Sequence, residues 1–368
     1  MLKKYELKDY RFNLVFLLIA LTSIGVLVVG SALESVQKKQ FMGMMLGLIV
    51  MIVISILDYS YILRFYWIMY VVSVILLLSV KFFGTSVNGS QRWLSIGGFQ
   101  FQPSELCKIL LILFFARYFM IHKEDLNTFP TLCITAILML IPVLLIESQP
   151  DLSTTITVSF VLCMLLYVSG LSYKLIGTAL AIIVPCAIVF LTIVIQPEQT
   201  LLEPYQRDRI MAWLDPEEYQ NSTGYQQTNA IMAIGSGQLY GKGLNNNSIT
   251  SVKNGNFIAE PETDFIFAIV GEELGFVGSV IVIGLIGLIT FTCIMIGRRA
   301  KDLAGMLICV GMASLVGFQS FVNIGVATGV LPNTGIPLPF ISYGLTSLVS
   351  MYMGMGFVLN VGLQPRKY

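Results

Sequence analysis

The sequence predicts an all-α integral membrane protein of about ten transmembrane helices. It reads as one polytopic domain over residues 1–368, with a large extracellular loop at 196–263 between helices seven and eight. Three observations predict this. The chain is 56% hydrophobic and only 12% charged, where a soluble domain would carry about a quarter charged residues. Its mean hydropathy is +0.80. Apolar runs of about 17 residues or more recur along the whole length, which is the pattern of helices that cross a bilayer.

The spans expected from these runs are 13–33, 41–57, 61–82, 104–121, 130–147, 152–170, 172–195, 264–296, 303–325 and 342–363. The first is too long, and too weakly bounded by small residues, for a cleaved signal peptide. Orientation follows from the basic residues. Of 22 Lys and Arg, thirteen fall in the two termini and the even-numbered loops, whereas the short loops opposite hold only Lys38, Lys39, Lys81 and Arg92. The positive-inside rule then puts both termini in the cytoplasm and the 196–263 loop outside.

Several chemistries are excluded by residue type. The single histidine, His122, sits on a cytoplasmic loop beside Lys123 and Glu124, so His-based zinc or nucleophile chemistry has no basis. None of the six cysteines forms a CxxC pair, and all lie in or near apolar spans. They read as packing residues. A net charge of +1 argues against nucleic acid as a partner. Chemistry in this chain must run on carboxylates, Lys, Arg and aromatics.

Between spans three and four, residues 84–109 form a turn-rich segment in which Arg92 and Trp93 pair a cation with an interfacial aromatic. Ser104 is the expected N-cap of span four, with Glu105 in its first turn and Lys108 on the same face at i+3. Glu105 and Lys108 either neutralise each other or form a membrane-edge site for an anionic headgroup. Between spans five and six, Glu147 and Asp151 flank Gln149-Pro150. Asp151 suits an N-cap for span six, whereas Gln149 has no structural purpose visible in the sequence.

The long loop should hold two short half-apolar helices lying along the membrane surface. One spans 204–219 and stops at Asp215-Pro216; the other covers 229–244 and ends in glycine-rich turns. Arg207, Arg209 and Lys242 would then face lipid phosphates. Span eight is about 33 residues, roughly 50 Å of helix against a hydrocarbon core of about 30 Å, so it must tilt, break or protrude. Gly271 and Gly275 are the expected bend points.

Asp264 starts that span, followed at once by Phe265-Ile266-Phe267. An acid in a first helical turn is common. Here Glu262 and Thr263 are better placed as caps, and a poorly solvated carboxylate has a raised pKa suited to a base. Glu272 and Glu273 lie deeper, on different faces, where an acid requires a partner or a water-filled cavity. Residues 323–347 are uncharged and rich in Gly and Pro, which implies rigid backbone packed on protein.

Six runs together carry a family resemblance over nearly the full chain: RWLSIGGFQFQPSELCK, QPDL, YQRDRI with LDP, AIGSGQLYGKG, ETDFIFAIVGEELGFVG and NIGVATGVLPNTGIPLPFISYG. In this set and order they resemble the SEDS (shape, elongation, division and sporulation) family of bacterial cell-wall polymerases. Leu345 departs from the family pattern, which has a second glycine after Ser342-Tyr343-Gly344. The loop-helix runs look closest to the elongation branch, with the division and sporulation branches next.

The resemblance implies a peptidoglycan glycosyltransferase of the bacterial cell membrane that polymerises lipid II into β-1,4 glycan at the outer face and releases undecaprenyl pyrophosphate. It implies Asp264 as the catalytic acid residue and a single-span class B penicillin-binding protein as partner, beside membrane lipids. Beside it, the residues themselves make Asp264 the best-placed base for a hydroxyl nucleophile. The expected substrate-binding set is Arg92, Trp93, Glu105, Lys108, Gln149, Asp151, Arg207, Arg209 and Lys242. A divalent cation, Mg or Mn, would be held between carboxylates and substrate phosphates, with no preformed cage. The rivals are a lipid II flippase, which should show charged or broken helices near the midplane, and a non-catalytic scaffold.

Overall fold

The computed structural model describes residues 9–87, 90–96, 99–194, 196, 204–216, 218–219, 222, 224–245, 251 and 258–366. The expected Gly97-Gly98 turn and parts of the 196–263 loop lie outside them. Each of the ten predicted spans falls on helix. In order these are α1 (Phe12–Ala32), α2 (Glu34–Ile56), α3 (Tyr59–Ile62) running through a 3-10 turn into α4 (Tyr66–Phe83), and α5 (Pro103–Ile121). Then come α6 (Phe129–Glu147), α7 (Leu152–Val168) and α8 (Tyr173–Val194). Two short helices, α9 (Pro204–Leu214) and α10 (Tyr225–Ser236), precede α11 (Ile266–Arg298), α12 (Leu303–Ala327) and α13 (Leu345–Gly362).

Among the described residues, seven helices are long and apolar enough to cross a membrane: α1, α2, α3–α4, α6, α11, α12 and α13. Of the rest, α5 carries Glu105, Lys108 and Arg117, and α7 has 17 residues. At the centre, α12 packs on α5, α7, α11 and α13. It and α13 are the most buried of the seven, whereas α4 and α6 leave most of their surface outward.

Four local expectations are corrected. Segment 84–109 is not only turns: Thr85–Val87, Ser90–Ile96 and Phe99–Phe101 form strands β1, β2 and β3 of an antiparallel sheet, with Thr85 opposite Trp93 and Leu94 opposite Phe101. Ser104 is not the cap of α5. Pro103 takes the first helical position and Gln102 precedes it, because proline's fixed φ and missing N–H suit that place. Helix α11 begins at Ile266, so Asp264 lies in the turn before it and no acid occupies its first turn. And α10 is not a surface helix alone. It packs on α11 and α12, burying Gln227, Asn229, Ala230 and Ala233.

The reason for that last difference is backbone chemistry. Helix α11 breaks at Gly275, whose φ of 66° and ψ of −163° are open only to glycine. The break leaves main-chain groups unpaired inside the helix, and residues 238–243 after α10 pair with them. Lys242 and Gly243 donate their amides to the carbonyls of Glu272 and Glu273, at 2.9 and 3.0 Å. Phe276 and Val277 donate to the carbonyls of Gln238 and Leu239 at 2.8 and 3.1 Å. An interrupted membrane helix needs such partners, since lipid offers none. Gly271 does not bend; it receives Ile234 of α10 in close contact.

Candidate active site

Three connections on one end of the bundle position Asp264. Tyr343 donates its amide to the carbonyl of Glu262 at 2.8 Å, Ser342 Oγ donates to that of Thr263 at 2.6 Å, and Asn323 Nδ2 donates to that of Asp264 at 2.8 Å. The turn is therefore gripped entirely through its backbone by α12 and the 328–344 loop. Among the described residues the Asp264 carboxylate itself accepts no hydrogen bond. A methyl group built on Gly335, where φ is +72°, would stand 3.1 Å from its Oδ2, so this position leaves the acid room.

Burial pushes the Asp264 carboxyl up to about 6, with the Glu260 and Asp151 charges adding to the rise and Arg209 and Arg92 opposing it. Those neighbours come from separate elements. Arg92 projects from β2, with Nη1 3.6 Å from Asp151 Oδ1 and Nη2 on the carbonyl of Pro150. Asp151 is the N-cap of α7, accepting from the Thr154 amide at 3.0 Å and its hydroxyl at 2.9 Å, as its sequence position implied. Ser153 Oγ then reaches the carbonyl of Thr334, beside Gly335. Arg209 sits on α9, which Trp213 Nε1 anchors to the carbonyl of Gly329 at 3.2 Å.

A second polar chain supports the same loop from within. Lys108 Nζ donates to Glu105 Oε1 at 2.7 Å and to Gln319 Oε1 at 3.3 Å, and Gln319 Nε2 donates to the carbonyl of Pro337 at 2.9 Å. Glu105 and Lys108 are both buried, which favours a mutually neutralising pair over a headgroup site open to lipid. Glu105 Oε2, Arg92 Nε, Asn323 Oδ1 and Thr334 Oγ1 are buried with no hydrogen-bond partner among the described residues. Such atoms in one neighbourhood leave polar capacity for a ligand.

Not every expected residue joins the site. Gln149 Nε2 donates to the carbonyl of Leu77 at 3.0 Å, tying the α6–α7 turn to α4, a structural contact that its sequence did not reveal. Lys242 Nζ sits on Glu272 Oε1 at 2.8 Å, and Ser31 Oγ donates to Glu273 Oε1 at 2.6 Å. Both deep acids thus have partners at the break in α11. Trp93 and Arg207 are partly exposed. Gly335, Asn323 and Ser342 were not singled out by sequence reasoning, because an uncharged Gly- and Pro-rich run carries no chemical signal beyond rigidity.

The family described as "Cell cycle protein", covering FtsW, RodA and SpoVE, matches residues 10–367. The chain belongs to this SEDS family. Peptidoglycan glycosyltransferase MrdB of Escherichia coli K12 is 34% identical over 361 residues, 95% of this chain and 92% of the relative. Probable peptidoglycan glycosyltransferase FtsW of Bacillus subtilis is 31% identical over 381 residues, 99% and 93% of the two chains. Among solved structures, the rod shape determining protein RodA of Thermus thermophilus superposes with a TM-score of 0.70 at 28% identity, over 96% of both chains. A chain from a peptidoglycan synthase complex that coordinates polymerization and crosslinking gives 0.78 at 31%, over 96% of this chain and 97% of that one. Within this SEDS chain, Leu345 opens α13 in ordinary helical position after Gly344, so the missing second glycine leaves the turn intact.

Proposed function

We propose that this SEDS protein is a peptidoglycan glycosyltransferase that polymerises lipid II at the outer face of the cytoplasmic membrane, serving cell elongation and shape. The observation that carries this reading is the Asp264 carboxylate, fixed through its backbone, accepting no hydrogen bond among the described residues and near the charges of Arg92 and Arg209. A hydroxyl nucleophile needs a base held in place but unoccupied, with a pKa near working pH. Asp264 accepts the proton of the acceptor sugar's 4-hydroxyl as that oxygen attacks the anomeric carbon of the lipid-linked donor. Arg92 and Arg209 stabilise the negative charge that develops on the departing pyrophosphate.

A divalent cation fits this arrangement through one group. Among the described residues no three acidic, His or Cys side chains converge, so the ion would be shared between the open Asp264 carboxylate and substrate phosphates. Bound there, it would supply charge neutralisation of the leaving group. Both termini are assigned to the cytoplasm from the distribution of basic residues.

The partner in this reading is a class B penicillin-binding protein, held on α11, α12 and the long loop. The solved synthase complex that couples polymerization to crosslinking supports it. The flippase alternative loses its main support where the α11 break is filled by residues 238–243 and where Glu272 and Glu273 are each paired.

The test is glycan polymerisation from labelled lipid II by purified protein with its partner. Asp264→Asn should lose roughly 10²–10⁴-fold in rate, the usual contribution of a general base, with partner capture unchanged. Normal polymer from that variant would sink the assignment.

A further inference from the structure

At the opposite end of α11 from Asp264 the chain turns strongly basic. The α11–α12 connection, the α5–α6 turn and the C-terminal segment line a half-open cavity of about 750 Å³ whose wall includes Lys123, Arg298, Arg299, Lys301, Asp302 and Arg366. Five cations face one acid. The positive-inside rule explains why such residues lie on this face. It does not explain why they converge on a concavity.

The fold itself uses only part of this charge. Lys301 Nζ donates to Ser60 Oγ at 2.6 Å and to Gln364, and stands 4.6 Å over the Tyr59 ring. Asp302 caps α12, its Oδ1 accepting from the Gly305 amide at 2.8 Å and the Tyr59 hydroxyl at 2.9 Å. Of the other cations, Lys123, Arg298 and Arg299 are exposed and form no ion pair among the described residues. Among the described residues Arg298 Nη1 reaches only the Met295 sulfur, at 4.0 Å.

The wall behind these side chains is fixed. Ala300 pairs with Pro365, and Arg366 donates its amide to the carbonyl of Arg299 at 3.0 Å. The first residues of α12 sit at the rim, but Asp302 already caps that helix start, so the attraction for an anion rests on the cations.

We propose that this cavity binds a phosphate-bearing anion. Two planar guanidinium forks and an ammonium are groups that recognise phosphate oxygens. Basic pockets between helix ends on the cytoplasmic side take the headgroups of anionic lipids, and a soluble phosphate ester offers the same chemistry. The assignment depends on the position of the pocket and not on the reaction at Asp264.

The experiment uses the full chain purified in a neutral detergent. Phosphatidylglycerol and phosphatidylcholine are added separately, and retained lipid is counted by native mass spectrometry. In parallel, inorganic pyrophosphate is titrated without lipid and the thermal midpoint followed. The variant is Arg298→Gln with Arg299→Gln. The control is Arg64→Gln with Lys174→Gln, which removes the same charge from exposed positions on the same face, outside the cavity.

Wild type and control should hold phosphatidylglycerol over phosphatidylcholine, and the cavity variant should lose roughly tenfold or more of that affinity. A pyrophosphate-dependent rise in midpoint that the cavity variant alone loses would support the site and assign it to soluble phosphate. Retention of phosphatidylglycerol that the cavity variant alone loses, without a pyrophosphate response, would support it and assign it to lipid. Equal loss in both variants, or no preference for either phosphate probe in wild type, would overturn the proposal. All four substituted side chains are exposed, and gel filtration verifies that each protein remains monodisperse.

Discussion

Asn323 Nδ2 bridges two main-chain carbonyls, that of Asp264 at 2.8 Å and that of Ile336 at 2.6 Å. One amide group thus joins the turn bearing the acid to the loop bearing Gly335. Asn323 touches no reacting atom in this reading and acts as a positioning residue. Asn323→Ala should slow polymerisation by about 10–100-fold, the effect of misplacing a base by around an ångström, without abolishing it. A rate equal to that of wild type, with the protein folded, would show that Ser342 and Tyr343 hold the turn unaided.

Asp264 should impose an acidic limb on activity. Its carboxyl is pushed up to about 6 by burial and by Glu260. Only the ionised form accepts a proton, so turnover should rise as pH increases through about 6 and level off above 7. The same shift has a stability consequence of opposite sign. A raised carboxyl pKa means that the folded state favours the protonated acid, so stability is lost as pH rises from the ordinary carboxylate range through 6. Asp264→Asn should therefore melt higher than wild type at pH 8, with the gap closing towards pH 4.

The neighbours of Asp264 should move that limb in opposite directions. Glu260 raises the pKa and Arg209 lowers it, so Glu260→Gln should shift the limb to lower pH and Arg209→Gln to higher pH. Each shift should be under about one unit, because exposed charges are screened. Arg209→Gln should also weaken substrate binding if Arg209 contacts the pyrophosphate. A full pH–rate profile on both variants distinguishes the two effects, since a binding defect lowers the plateau at subsaturating substrate without moving the limb.

Gly275→Ala should be among the most damaging single substitutions in the spanning region. The backbone there is closed to side chains, and the new methyl would meet the Gly241 amide nitrogen at 2.3 Å. Strain alone costs about 1–3 kcal/mol, and displacing the 238–243 turn would unpair four main-chain hydrogen bonds. Thermal unfolding in detergent should show a drop of many degrees. Gly235→Ala is the control, as nothing lies within 4 Å of its Cβ position.

The spans were legible because period and length are written in side-chain hydropathy, and all ten expected segments are helical within a few residues. Asp151 as a cap and Gly275 as a break were legible for a similar reason, since each depends on residue type at one position. The sheet at 85–101 was not, because short strands punctuated by glycine carry the same composition as turns. The role of 238–243 was hidden for a deeper reason. Its function is to answer main-chain groups of a segment about 34 residues further on, and backbone hydrogen bonds leave no mark on side-chain pattern. Asn323 and Gly335 were unreadable on the same ground, since they act on backbone or by leaving space.

Lys242 provides the sharpest contrast between an expected ligand and a structural ion pair. Its Nζ lies 2.8 Å from Glu272 Oε1, with the Lys242 side chain 25% and the Glu272 side chain 3% exposed. Removing the cation leaves a buried carboxylate less compensated, which costs more than removing both charges. Lys242→Met should thus destabilise the protein by about 1–3 kcal/mol. Adding Glu272→Gln should recover at least half of that loss, a coupling that a double-mutant cycle measures directly. In the folded fraction of either variant, KM for lipid II should remain within about twofold of wild type, as expected when no uniform binding contact is lost. A tenfold rise in KM for Lys242→Met, unrelieved by Glu272→Gln, would instead return Lys242 to the phosphate-binding set.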